Sequence, residues 1–204
     1  MFKGFLNLNG QETITTKNLF KEVKNNFTYE FWVNPQKKLK LNKESYKGTV
    51  GISGQSYVIG PGHPGINQQD DSGAGVSVGK NGITVYEHSH NYLPSVLSYK
   101  TNINNWIHVA IVYRNKTPYL YINGKYIKKG IRSPKKSVFA SGSIGGLEPY
   151  GYFEGKVNHI KIWNYSKTEK EINLGINKYL VESEQGLVLN LSYEEPTYAT
   201  SLIK

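Results

Sequence analysis

The stretch Trp106–Gly130, WIHVAIVYRNKTPYLYINGKYIKKG, decides the fold. Its first part, Trp106 to Arg114, is apolar on both faces, as expected of a strand in the middle of a sandwich. Asn123-Gly124 then separates TPYLYI from KYIKKG. Both residues of that pair tolerate the positive φ that a type I′ turn needs at its central positions, so a tight hairpin is predicted.

Working outward, FTYEFWV (Phe27–Val33) alternates with period two and predicts a half-buried strand, ended by Pro35. Short strands are expected around Gly48 to Ser53 and Tyr57 to Ile59. Gly60 to Gly75, GPGHPGINQQDDSGAG, is rich in Gly and Pro and reads as a long loop. GVSVGKNGITVYEH reads as a hairpin turning at Gly79 to Gly82. YFEGKVNHIKIWN is a strand carrying Trp163. Ser166 and Glu169 have capping-box spacing, and Ile172, Ile176, Tyr179 and Leu180 follow at helical spacing, so one helix is expected from about Lys167 to Leu180. GLVLNLSY closes the chain as a last strand. About a dozen strands and one late helix, with no internal repeat, indicate a single all-β domain over 1–204, an antiparallel two-sheet sandwich; a barrel would read similarly.

The 204 residues include 16 Tyr, 21 Gly and no Cys. That mix suits strands and tight turns, and it rules out disulfides and thiolate metal sites. No apolar run reaches the length of a bilayer span, and MFKGFLNLNG lacks the apolar core of a signal peptide. The net charge is +10, with basic residues gathered at Lys37–Lys47 and at Lys125–Lys136. Solvated loops are one reading, and attraction to an anionic polymer is the other. With only Arg114 and Arg132 to form guanidinium forks, the chain is not expected to bind nucleic acid.

Taken together, FTYEFWV, WIHVAIVY, YLYINGK, SIGG (Ser143–Gly146), FEGKVNHIKIWN, the terminal helix and GLVLNLSY resemble the laminin-G-like, concanavalin-A-like jelly roll. The resemblance covers nearly the whole chain. It implies two antiparallel sheets of six or seven strands, with ligands on the concave face or in rim loops, often beside calcium. It also implies a module of a larger bacterial surface or glycan-related protein, so an extracellular setting is expected.

Because such a fold does not fix function, the residues must. Glycosidases need two carboxylates opposed across the scissile bond, about 5 to 9 Å apart. The Glu-x-Asp-x-x-Glu strand pattern of the laminarinase-like members is missing, there is no G-x-S-x-G, and Glu182 and Glu184 read as turn charges. No catalytic residue is expected. In NGITVYEHSHNY (Asn81–Tyr92), His88 and His90 share a strand face and could chelate a metal, with His63 the only further candidate. Calcium is the better expectation, at Asp70 and Asp71, the only aspartates, set among backbone carbonyls. His108, His159, Trp32, Trp106 and Trp163 are expected to be structural. The loop and the strand end gather His63, Asn67, Gln68, Gln69, Glu87, His88, His90, Asn91 and Tyr92. These amides, imidazoles and the aromatic ring suit sugar hydroxyls and a sugar's C–H face. The expected partner is a glycan or other extracellular polymer. The alternative is a structural or protein-docking domain, within a larger polypeptide or in a tail-like or toxin assembly; a homo-oligomer is a further partner expectation.

Overall fold

In the computed structural model, which describes residues 4–65, 67–176, 178 and 184–198, the strand Phe27–Pro35 sets the frame. Phe27, Tyr29, Phe31 and Val33 point into the core and are fully buried. Ile107–Arg114 pairs antiparallel with this strand, and Thr117–Ile122 pairs with Ile107–Arg114 in turn. The hairpin forms as read, with Asn123 at φ 49° and Gly124 at φ 79°.

Two sheets face each other. In spatial order the first runs Lys125–Lys129, Thr117–Ile122, Ile107–Arg114, Phe27–Pro35, Glu154–Trp163, Phe5–Asn9 and Pro196–Tyr198. Leu187–Leu191 also pairs with Glu154–Trp163. The second sheet runs Ile14–Lys24, Ser137–Ile144, Tyr57–Gly60, Asp71–Gly79, Gly82–His88 and Ser95–Lys100. Among the described residues this is the jelly-roll sandwich expected, with six strands in one sheet, eight rather than six or seven in the other, and one short helix. Two pairings are parallel: Phe5–Asn9 with Pro196–Tyr198, and Ser137–Ile144 with Asp71–Gly79. Residues from both sheets fill the core, Leu6, Val76, Val85, Ile111 and Ile160 among them.

Several expectations shift. The stretch Gly48–Ser53 is not a strand but holds a 3-10 turn at Val50–Ile52. The long loop ends at Asp70, because Asp71–Gly79 is a buried strand. Glycine is needed there. A Cβ on Gly73 would lie 2.1 Å from the Gly62 carbonyl oxygen, and one on Gly75 would lie 2.4 Å from the Pro61 ring, so the loop can lie flat on the strand. The helix spans Glu169–Gly175 and its capping box is Thr168 with Glu171, two residues beyond the pair expected. Ser166 instead donates to the Tyr113 carbonyl at 2.5 Å. Tyr179, Leu180 and Glu182 lie outside the described residues. Trp163 is buried, but Trp32 and Trp106 are half-buried, away from the main core.

The outer face of the eight-stranded sheet buries charge. Lys167 Nζ donates to Glu30 Oε1 at 2.6 Å and sits 3.9 Å from the Trp163 ring centroid. His108 Nε2 lies 3.5 Å from Glu30 Oε2. Burial alone would raise the Glu30 pKa, but His108 and Lys167 outweigh it and hold the carboxyl below its ordinary value. This cluster ties the helix-bearing segment to the sheet. Exposed strand edges carry Lys17, Lys21 and Lys24 on one sheet, and Lys125 and Lys129 on the other; the far edge of the latter begins at Pro196.

Removing one partner of a buried pair leaves an uncompensated charge. Lys167→Met should therefore lose about 3 kcal/mol in urea denaturation. The double variant with Glu30→Gln should recover most of that loss. Equal stability of Lys167→Met and the parent would mean the pair does not anchor the segment.

Candidate functional site

The strand Gly82–His88 is buried on both faces. Ile83, Val85 and Glu87 alternate inward toward the core, while Tyr86 and His88 point to the outer side. Glu87 is thus not part of a ligand-binding wall, as the sequence had suggested, but an interior carboxyl with no exposed surface. The correction has a simple cause: period-two alternation separates two faces without saying which one meets solvent.

Four hydroxyls satisfy this carboxyl. Ser133 donates at 2.5 Å, Tyr113 at 3.2 Å, Tyr92 at 3.4 Å and Ser72 at 3.5 Å. Burial pushes the Glu87 pKa up to about 7, although each of these bonds works to lower it.

On the outer side, aromatic rings form a second layer. Tyr57 and Tyr86 meet edge to face at 5.5 Å, and Leu93 packs with them. Asn42 donates to the Tyr86 hydroxyl at 2.8 Å, and Tyr57 donates to the Gly51 carbonyl at 2.8 Å. These bonds pin the 42–52 segment over the sheet. His88 continues the layer, with its ring 4.8 Å from His63 and 5.5 Å from Tyr150. Its Nδ1 lies 3.0 Å from the Pro61 carbonyl. A carbonyl only accepts, so that bond assigns the proton to Nδ1 and leaves Nε2 as an acceptor. Burial, with His63 nearby, holds the His88 pKa down at about 4, against the raising effect of the Pro61 bond.

His88 opens onto a cleft of about 340 Å³, lined also by Thr49, Ile52, Ser89, Asn91, Tyr92, Leu93 and Tyr150. A tight turn shapes it: Ser89 N–H donates to the Tyr92 carbonyl, Tyr92 N–H donates back to Ser89, and Asn91 takes φ 49°. Ser89 is 1% exposed, and its hydroxyl has no hydrogen-bond partner among the described residues. Asn67, Gln68, Gln69, Asp70 and Asp71 line a separate polar pocket of about 470 Å³ together with Lys136. The residues expected in one site therefore divide into two pockets. His63, against His88, and Lys135 connect them: Lys135 Nζ lies 4.3 Å from the Tyr92 ring centroid and donates to the Gln69 carbonyl at 2.5 Å. His90 is exposed outside the cleft lining and accepts from Asn91 Nδ2 at 3.1 Å. Thr49, Ile52 and Tyr150 were not legible as site residues. Only contact across the fold brings them to His88.

Among the described residues, no three His, Asp or Glu side chains come together to hold a metal. The carbonyls near Asp70 and Asp71 each accept one hydrogen bond: Gly65 from Gln68 N–H, Gln68 from Asp71 N–H, Asp70 from Lys136 N–H and Gln69 from Lys135. Lys136 is also among the residues lining the pocket, and its charge opposes a divalent cation there. Elsewhere Glu12 and Glu148 share a pocket of about 460 Å³, where Glu12 accepts from the Asn9 amide groups at 3.2 and 3.4 Å. No helix is long and apolar enough to cross a membrane among the described residues.

Residues 8–173 match the family model described as the concanavalin A-like lectin/glucanases superfamily, in its laminin G form. No curated protein matches by sequence. Among solved structures, a candidate carbohydrate-binding protein of Bacteroides ovatus superposes with a TM-score of 0.57 at 20% identity, over 91% of this chain and 50% of that one. A heptameric SAP-like pentraxin of Limulus polyphemus gives 0.56 at 12% identity, over 92% and 94%. Domain 4 of an extracellular arabinanase of Geobacillus stearothermophilus, in complex with arabinotriose, gives 0.50 at 17% identity, over 82% and 73%. At these identities the likeness is one of fold. The chain spans half the length of the Bacteroides protein.

Glu87 yields a sign-determined pH test. Its folded pKa, about 7, lies above the ordinary 4.5, so the protonated group's contribution is complete below about pH 4.5 and is lost as pH rises through 7. The shift corresponds to about 3 kcal/mol. Glu87→Gln cannot ionise, so its stability in urea should gain on the parent by on the order of that amount between pH 4.5 and 8. A difference independent of pH would mean the carboxyl does not titrate there.

Proposed function

The chain belongs to the concanavalin A-like lectin/glucanases superfamily, and from that membership and the His88 cleft we propose that it is a carbohydrate-binding module that does not cut its ligand. The outward-facing His88 ring carries this reading, because its Nδ1 is tied to the Pro61 carbonyl and its Nε2 is left as an acceptor at the cleft. That nitrogen can accept from a sugar hydroxyl, and the exposed Asn91 amide can serve another. Tyr150, Ile52 and Leu93 offer the ring and apolar walls that a sugar's C–H face packs against. The carbohydrate-binding description of the Bacteroides protein and the arabinotriose held by the arabinanase domain support the same class of ligand. We place the module within a longer extracellular or surface polypeptide, in keeping with the half-length match.

We also propose that binding proceeds without calcium, given Lys136 in the pocket beside Asp70 and Asp71 and no third carboxylate or imidazole gathered there among the described residues. The non-catalytic reading rests on the interior position of Glu87, which cannot reach a bound sugar. Glu12 and Glu148 are the acidic pair that would support the glycosidase alternative.

A glycan array followed by calorimetry tests the proposal. His88→Phe keeps the ring but removes the acceptor, and should weaken binding about tenfold. Tyr150→Ala should do the same. Parent affinity should be flat from pH 8 to 5 and fall toward pH 4, as Nε2 takes a proton and stops accepting. A chelator should leave it unchanged. No bound glycan, or binding indifferent to both substitutions, would remove the cleft reading. Turnover of glycan substrates lost on Glu12→Gln or Glu148→Gln would instead establish an enzyme.

A further inference from the structure

The cleft leaves the second lysine cluster unexplained, and part of that cluster surrounds an aromatic surface on the outer face of the other sheet. The edge strand Lys125–Lys129 pairs with Thr117–Ile122, and a β-bulge interrupts the register between Tyr126 and Lys128. Strict alternation would set Tyr126 and Lys128 on one face. The bulge instead pairs Tyr126 with Tyr121 and Lys129 with Tyr119, so those four side chains share the outer face. Lys128 turns the other way, to Glu44 at 2.7 Å and the Ser98 carbonyl.

Tyr126 is 48% exposed, and its ring lies 5.7 Å from Tyr121 and 6.5 Å from Tyr119. Two better-buried rings thus fix the orientation of an exposed one. Two cations flank them: the Arg114 guanidinium is 5.1 Å and Lys129 Nζ 5.9 Å from the Tyr119 centroid. Arg114 is held in place by donating to the Tyr121 hydroxyl at 3.1 Å and the Lys167 carbonyl at 2.8 Å. The carboxylate that senses Arg114, Glu171, is committed to the Thr168 cap.

We propose that this surface is a second binding site, for an acidic polysaccharide whose ring stacks on Tyr126 while its anionic group meets Lys129 and Arg114. The pairing of groups selects the class. A neutral sugar would use the ring and leave the cations idle, and a bare polyanion would use the cations and leave the ring exposed. The site stands on the opposite sheet from the cleft and does not depend on the reading of the cleft.

The test uses the full chain in calorimetry against four probes of matched length: oligogalacturonate, a sulfated oligosaccharide, a neutral maltooligosaccharide and inorganic polyphosphate. One or both acidic saccharides should bind, and which one does identifies the anionic group. Tyr126→Ala and Lys129→Gln should each weaken that binding about tenfold, added salt should weaken it further, and His88→Phe should leave it unchanged. The neutral probe and polyphosphate should bind at least about tenfold more weakly. Binding of polyphosphate as tight as that of the saccharides, or affinity unmoved by Tyr126→Ala, would reduce the surface to plain charge and overturn the proposal. Loss of acidic-saccharide binding on His88→Phe would move the ligand to the cleft and overturn it equally, as would no binding of either acidic probe.

Discussion

A carboxyl group sealed from water must be satisfied by the protein around it, and Glu87 draws the sandwich together for that reason. Glu87 and Ser72 come from the six-stranded sheet and Tyr113 from the eight-stranded one, while Tyr92 and Ser133 come from connecting segments. One group thus fixes the spacing of the sheets and the position of Tyr92, whose residue lines the cleft. Tyr29 makes a similar link, donating to the Ala74 carbonyl at 3.0 Å and accepting from Ser141 N–H at 2.6 Å. Buried polar networks of this kind are rigid when every member is satisfied. The cleft is shaped from below by such a network.

Much of the fold was legible because it rests on local chemistry. Asn123-Gly124 announces its turn through the positive φ both residues adopt, and Phe27–Val33 announces its strand by strict alternation. The candidate site was legible only in outline. His88, Asn91 and Tyr92 do line a cleft, but Glu87 beside them is interior, since both faces of its strand are covered and the sequence cannot rank them. The helix start slipped by two residues because Ser166 with Glu169 and Thr168 with Glu171 carry the same spacing signal. Competition from the Tyr113 carbonyl for the Ser166 hydroxyl decides between them. Tyr150 gave no signal at all, since its relation to His88 arises from 61 intervening residues folding back.

The two outer faces are built differently. Over the six-stranded sheet, loops bring rings, amides and glycine-thin backbone down onto Tyr57, Tyr86 and His88. Over the eight-stranded sheet, the segment carrying the helix buries the Glu30, His108 and Lys167 cluster, and Trp32 Nε1 donates to the Ile176 carbonyl at 3.0 Å. The first covering leaves an opening beside a neutral imidazole. The second is closed around the Glu30 carboxylate, which Lys167 neutralises, and opens at its hairpin edge, where Tyr126 is exposed.

Lysine-studded borders have a consequence for crowding. A bare β-edge invites another chain to zip onto it, yet a neighbour approaching Lys17, Lys21 and Lys24 or Lys125 and Lys129 meets a row of ammonium groups, and one approaching Pro196 meets a residue with no N–H to give. Copies strung along one polypeptide, or packed densely on a surface, would repel through these borders before their backbones could pair. The same residues that make the chain basic therefore guard these borders against strand-to-strand pairing.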